Sequence, residues 1–233
     1  MGLGEELKVA LGARPHRFYT ALLSTEADAL AWARAGAAPG SVVTAGYQAS
    51  PRGRAGLEWD VGDGLAFSLI LRPAPRLASP REGWLYTVAV SGLADALGEE
   101  ATIEWPDEAR HGGTRVGAVG VYAEIGVLGV DWAVVNVLVA RAWEPELVER
   151  IVIAIEARLA ASSASVLADY LRRCETIGRS VNARLIPLGP GGPEARGTAV
   201  SSSVDGSLVL ETDAGRRLAV PPQNLGVLEL APA

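Results

Sequence analysis

Apolar positions along this chain recur at two spacings, and most of its elements can be read from where one spacing gives way to the other. Ser24-Thr25-Glu26-Ala27-Asp28 offers a hydroxyl cap followed by acids, so a helix is expected from there to about Ala35, stopped by Gly36 and Pro39. Ser41 to Ala45 is rich in β-branched residues and reads as a strand. The segment from Gln48 to Gly56 has turn chemistry and no apolar period, so it reads as an exposed loop carrying Arg52 and Arg54. Gly64 to Leu71 predicts a strand, and Trp84, Leu85, Val88, Leu93 and Leu97 fall at helical spacing before Gly98. Thr102 to Trp105, Val116 to Ile125 and Trp132 to Val139 predict three further strands, the last two joined across Gly126 to Asp131. Glu144-Pro145-Glu146 opens a helix whose apolar stripe is Leu147, Val148, Ile151, Val152, Ile155 and Leu159, and a second helix runs from Val166 to Ile177.

Beyond Val181 the pattern shortens to apolar runs split by Gly189-Pro190-Gly191-Gly192-Pro193, Asp205-Gly206 and Asp213-Ala214-Gly215. That punctuation predicts a small all-β barrel. The expected division is 1–179 for a mixed α+β domain and 180–233 for the barrel.

Composition narrows the function classes. The chain has 233 residues, 49% of them hydrophobic and 21% charged, which is ordinary for a globular protein with one sizeable core. Its longest apolar stretches fall well short of the roughly 18 to 20 residues that cross a bilayer, and its start lacks the pattern of a secretory signal, so no membrane span and a cytoplasmic location are expected. A formal charge of −6 with a single lysine, Lys8, argues against general phosphate-backbone binding, so no nucleic acid partner is expected. Cys174 is the lone cysteine and lies with Tyr170, Leu171 and Ile177 on an apolar helix face, as a buried structural thiol would. No Cys/His spacing suggests a metal, and His16 and His111 have no motif partners.

The order of these elements, together with four segments, resembles the biotin protein ligases of the biotin and lipoate ligase superfamily from Phe18 to Leu230, without the helix-turn-helix that some members carry upstream. Gly40-Ser41-Val42-Val43 with Gln48, Arg52-Gly53-Arg54, Gly56 and Trp59 is similar to the family's G-T-V-V strand and its Q-x-x-G-R-G-R-x-G-x-x-W ligand loop. Leu65 to Pro73 matches the next strand, Trp105-Pro106 stands in the family's K-W-P-N-D motif, and Asp205 to Asp213 resembles part of its C-terminal SH3-like domain. The resemblance implies a class II synthetase-like α+β domain with mixed sheet and flanking helices, plus an SH3-like barrel. In such ligases ATP activates biotin to biotinyl-AMP, which is then transferred to a lysine of a carboxyl carrier protein. Arginine, lysine and magnesium offset the charge gathered around the α-phosphate.

Carried over by position, Arg54 and Arg115 are the candidate catalytic cations. Ser24, Thr25, Gln48, Arg52 and Gly53, together with Trp105 and Gly117, are the other candidate ligand contacts. Trp59 and Trp105 also suit core packing, as tryptophans in a domain of this size usually do. The pattern is broken at several positions. Pro51 replaces the first glycine of the ligand loop, Glu104 the lysine of K-W-P-N-D, and Asp107-Glu108 its Asn-Asp pair. Arg115 keeps the charge of the K-[LI]-A-G lysine but in a planar fork. Asn136-Val137-Leu138-Val139-Ala140 stands where the family has G-I-G-x-N, so two close-approach glycines and an asparagine are replaced.

Two functions follow as expectations. One is a divergent ligase that uses ATP and magnesium to activate biotin, lipoate or a related acyl acid and passes it to a carrier or lipoyl-domain lysine, with a homodimer among its possible states. The other is an inactive homologue that binds a small molecule or a protein.

Overall fold

The computed structural model describes residues 2–56, 64–74, 77, 81–141 and 144–230. The expected Trp59 contact lies outside them.

Seven strands form one mixed sheet: β1 (His16–Tyr19), β2 (Val42–Ala45), β3 (Leu65–Leu71), β4 (Thr102–Glu104), β5 (Glu108–His111), β6 (Thr114–Gly126) and β7 (Gly129–Val139). Their spatial order is β1-β2-β3-β7-β6-β5-β4, with β1 parallel to β2 and every other pair antiparallel. The helices are α1 (Leu3–Leu11), α2 (Thr25–Arg34), α3 (Trp84–Leu97), α4 (Pro145–Ala160) and α5 (Ser163–Arg173).

Alternation in the central strands sorts side chains onto two faces. Leu65, Phe67, Leu69, Leu71, Ala133, Val135, Val137 and Val139 join one large core with α3 and α4. Ile70, Trp132, Val134 and Val43 form a smaller cluster with Ala29 and Ala33 of α2. At the α3–α4 crossing a Cβ on Gly92 would meet the Ile155 backbone at 2.6 Å, so the two helix backbones approach closely there.

Five further strands, β8 (Ser180–Leu185), β9 (Glu194–Ser202), β10 (Leu208–Glu211), β11 (Arg217–Val220) and β12 (Leu225–Leu230), make a separate antiparallel sheet ordered β11-β10-β9-β8-β12. This sheet occupies the region where a small all-β barrel is expected.

Four elements depart from the sequence expectation. Strand β1, four residues that are all half-buried, was not predicted. Helix α1 was not predicted, because Gly2, Gly4 and Gly12 weaken its helical pattern; burial of Leu7 and Leu11 outweighs that cost. Strand β5 is four residues long and half-buried, too short for alternation to stand out. Helix α5 ends at Arg173, and Cys174 caps it as a buried thiol whose pKa is raised by burial. The β6–β7 connection is tighter than expected, since pairing continues out to Gly126 and Gly129. Among the described residues no helix is long and apolar enough to cross a membrane.

Candidate functional site

The expected ligand loop lies on the α2 side of the large sheet, and its first half is held by backbone bonds. The Leu22 amide donates to the Tyr47 carbonyl, and the Ala49 and Ser50 amides donate to the Leu22 and Leu23 carbonyls. Ser24 caps α2 as its sequence suggests, its hydroxyl accepting from the Glu26 amide at 3.2 Å. Gln48 then ties loop, helix and sheet together: Oε1 accepts from the Thr25 amide at 2.7 Å and Nε2 donates to the Ala66 carbonyl at 2.9 Å.

From Thr25 a chain of polar groups crosses the centre of the sheet. The Thr25 hydroxyl lies 2.8 Å from that of Ser68, which donates to Asn136 Oδ1 at 2.8 Å. A hydroxyl carries one proton, so with Ser68 donating to Asn136 the first bond must run from Thr25 to Ser68. Asn136 Nδ2 completes the path to Glu26 Oε1 at 2.9 Å. Thr25, Ser68 and Asn136 are buried, and each satisfies its neighbour, as buried polar groups must. The register places Ser68 and Gly120 on either side of Asn136. A Cβ on Gly120 would meet the Gly53 carbonyl carbon at 2.5 Å, so the loop backbone rests directly on this floor.

Arg54 follows at once, and its whole guanidinium is engaged. Nε donates to Asp107 Oδ2 at 3.2 Å, Nη1 to the Leu225 and Gly226 carbonyls, and Nη2 to the Gly226 carbonyl at 3.2 Å. Its side chain is 12% exposed and that of Asp107 8%. Burial pushes the Asp107 carboxyl up to about 6 although Arg54 pulls the other way, so desolvation outweighs the ion pair. The buried Tyr86 hydroxyl, also raised by burial, donates to the Val121 carbonyl at 3.3 Å and feels both Asp107 and Arg54.

Arg52 is half-buried and donates to the Gly56 carbonyl at 3.0 Å, away from the Arg54 cluster. Arg115 pairs with Glu108 at 3.5 Å, and Arg110 lies between Glu104 and Glu108 at 3.4 and 3.2 Å. Glu104 has its pKa raised, chiefly by burial. Trp105 is a core residue whose indole donates to the Gly206 carbonyl at 2.9 Å. A Cβ on Gly117 would meet Leu93 of α3 at 3.2 Å, so this position faces the helix layer. Thus Ser24, Thr25, Gln48 and Gly53 gather on one face, Arg54 sits at its margin, Arg115 lies near enough to act on Asp107, the partner of Arg54, and Gly117 faces the helix layer.

The sequence reading missed the polar chain through Ser68, Asn136 and Glu26. Its signal was available: a serine and an asparagine inside otherwise apolar central strands must find buried partners.

Against a magnesium-bound triphosphate the charged groups fit poorly. Arg54, Arg110 and Arg115 all pair with carboxylates. Glu104 and Glu108 flank Arg110, and Arg115 also reaches Glu108, so the carboxylates here are already matched by guanidinium groups.

No family model matches the chain. The biotin protein ligase of Aquifex aeolicus, solved with biotin and ATP, superposes with a TM-score of 0.72 at 18% identity, covering 93% of this chain and 99% of that one. The fold is that of the biotin protein ligases. The five-stranded sheet accordingly takes the place of the SH3-like domain at the end of the ligase fold. The biotin acetyl coenzyme A carboxylase synthetase of Helicobacter pylori, with bound biotinylated ATP, gives 0.64 at 18% identity over 88% of this chain and 99% of that one. A biotin protein ligase-like protein of unknown function from a Silicibacter species gives 0.66 at 16% identity over 90% and 95%. In sequence, the bifunctional ligase/repressor BirA of Bacillus subtilis is 34% identical over 112 residues, which is 46% of this chain and 34% of that protein. The match therefore spans about a third of that relative's length.

Proposed function

We propose that this protein is a binding homologue of the biotin protein ligases, one that keeps the fold and the loop but has given up adenylate-forming chemistry. The observation that carries this reading is the Asn136 side chain. It stands at a position where the ligases have a close-approach glycine, is buried, and is hydrogen-bonded to Ser68 and Glu26 on the sheet floor beneath the loop. A bicyclic acid seated there would have to displace an amide whose partners would lose their bonds. The pairing of Arg54, Arg110 and Arg115 with carboxylates supports the same conclusion. Its occupant is then a different small molecule or a protein partner, in a cytoplasmic setting that suits the reduced, buried Cys174.

The test is acid-dependent ATP–pyrophosphate exchange with purified protein, magnesium-ATP and biotin, lipoate or octanoate in turn. No exchange above the acid-free background is expected. Exchange with any one acid would overturn the proposal.

The retained Arg52-Gly53-Arg54 segment and the charge at Arg115 favour a second reading, a divergent ligase. It would take ATP, magnesium and an acyl acid, and label a lysine of a carboxyl carrier or lipoyl domain. Exchange followed by carrier labelling is its signature.

A further inference from the structure

Arg54 belongs to the loop by sequence and to the C-terminal sheet by contact. We propose that it is a latch that makes opening of the 46–56 loop and loosening of strand β12 a single event, so that whatever engages one side is felt at the other. The inference does not depend on which ligand the site takes.

Three observations build the latch. First, the carbonyl acceptors are presented by a local irregularity: β12 pairs with β8 with a register shift between Leu225 and Val227, which leaves Gly226 out of the ladder. Its carbonyl and that of Leu225 both accept from Arg54, and the planar fork can take two such acceptors while Nε holds Asp107. Second, the loop has little freedom to move while leaving Arg54 in place. Gly53 rests on Gly120, and Ala55 next to Arg54 is held at φ 55°, a left-handed conformation that a non-glycine residue adopts only when its surroundings impose it. Lifting Gly53 from Gly120 therefore withdraws the guanidinium from β12.

Third, the C-terminal sheet has another attachment that owes nothing to the loop. Trp105 Nε1 donates to the Gly206 carbonyl at 2.9 Å, and a Cβ on Gly206 would meet the Gly83 carbonyl oxygen at 2.3 Å. Release of Arg54 would thus loosen β12 from Leu225 onward, while the Gly206 side and the Pro222–Gln223 turn, held against Gly83 and Glu82, stay seated, which is how a hinge and a latch divide an interface. Because coupling between two sites is reciprocal, a partner bound at β12 that competes for Arg54 would favour the open loop to the same extent that an open loop favours that partner.

Hydrogen exchange on the full chain reads both sides at once, using the bonded amides of Ala49, Ser50 and Gly56 for the loop and those of 227–230 for β12. In Arg54→Ala, exchange is expected to rise about ten-fold or more in both segments, the loss expected for charged hydrogen bonds, while the Gly206 and Ser207 amides keep the wild-type rate. Arg54→Lys, which keeps the charge but loses the fork, should fall between. Arg52→Ala, whose side chain donates to the Gly56 carbonyl within the loop, should leave β12 at the wild-type rate. A rise in the loop without β12, no rise in either, or an equal rise of β12 in Arg52→Ala would overturn the latch. Should Arg54→Ala fail to fold, exchange of the wild-type chain in graded denaturant decides: one shared opening free energy and slope for the two segments supports the latch, and separate slopes refute it.

Discussion

The two faces of the seven-stranded sheet are built on opposite rules. On the α3 and α4 side, β3 and β7 present only Leu, Phe, Val and Ala, and the facing helix α3 is buried from Trp84 to Ala94. On the α2 side the same two strands present Ser68 and Asn136 at their centre, Ala66 and Leu138 toward the loop, and an apolar cluster only beneath α2. One face gains stability by excluding water from apolar surface, the other by closing a chain of hydrogen bonds. A face of the first kind tolerates little except volume-conserving change, whereas one of the second kind can change its chemistry residue by residue while the fold persists. The departures at Asn136 and Leu138 from the ligase pattern both lie on the second face.

The comparison is broken most severely from the apolar side. Leu93→Ala on α3 removes a fully buried side chain from the large core, and its cost is expected at about 2–5 kcal/mol by urea denaturation. A cost below about 1 kcal/mol would mean that the face is not packed as described. Ser68→Ala breaks the polar face instead. It removes the donor to Asn136 and the acceptor for Thr25 while leaving both partners buried, for an expected loss of roughly 1–3 kcal/mol in the same measurement. Ser68→Ala with Asn136→Gly removes two members of the chain together. The double variant should lose less than the sum of the singles, since each single change strands a partner that the double change also removes.

How far the molecule could be read in advance follows the same division. The apolar face announces itself, because Leu65, Phe67, Leu69 and Leu71 alternate with the opposite set and α4 carries its stripe at helical spacing; the elements it builds were expected within a few residues. The order of segments also sufficed to anticipate the ligase fold. The candidate site was legible only in part. Ser24 as a cap and Gln48 beside it follow from local chemistry, but nothing near Arg54 in sequence points to Leu225, which is 171 residues away. Nothing in the turn after Trp105 marks Asp107 as buried, and position along one strand does not say that a Cβ on Gly117 would address α3. Long-range partners and facing are tertiary facts, so a local pattern does not carry them.

The smallest expected effect lies where the two rules meet, at Asp107. Its carboxyl is raised from 3.8 to about 6 in the folded protein, with desolvation the largest cause and Arg54 opposing it. The folded state therefore holds the proton more tightly than the unfolded chain does. The stability associated with that proton is fully present below about 3.8 and is lost as pH rises through about 6. Above that window the fold carries a buried negative charge that Arg54 only partly offsets. Asp107→Asn keeps an acceptor for the Arg54 Nε–H and removes the ionisation. It should stabilise the protein by roughly 1–2 kcal/mol at pH 8, by about half as much at pH 5, and by little or nothing below about pH 3.8, read as a rise in Tm that disappears on acidification. Destabilisation at pH 8 instead would show that the Arg54 ion pair outweighs the desolvation of Asp107, and the junction between loop and C-terminal sheet would then be held chiefly by charge.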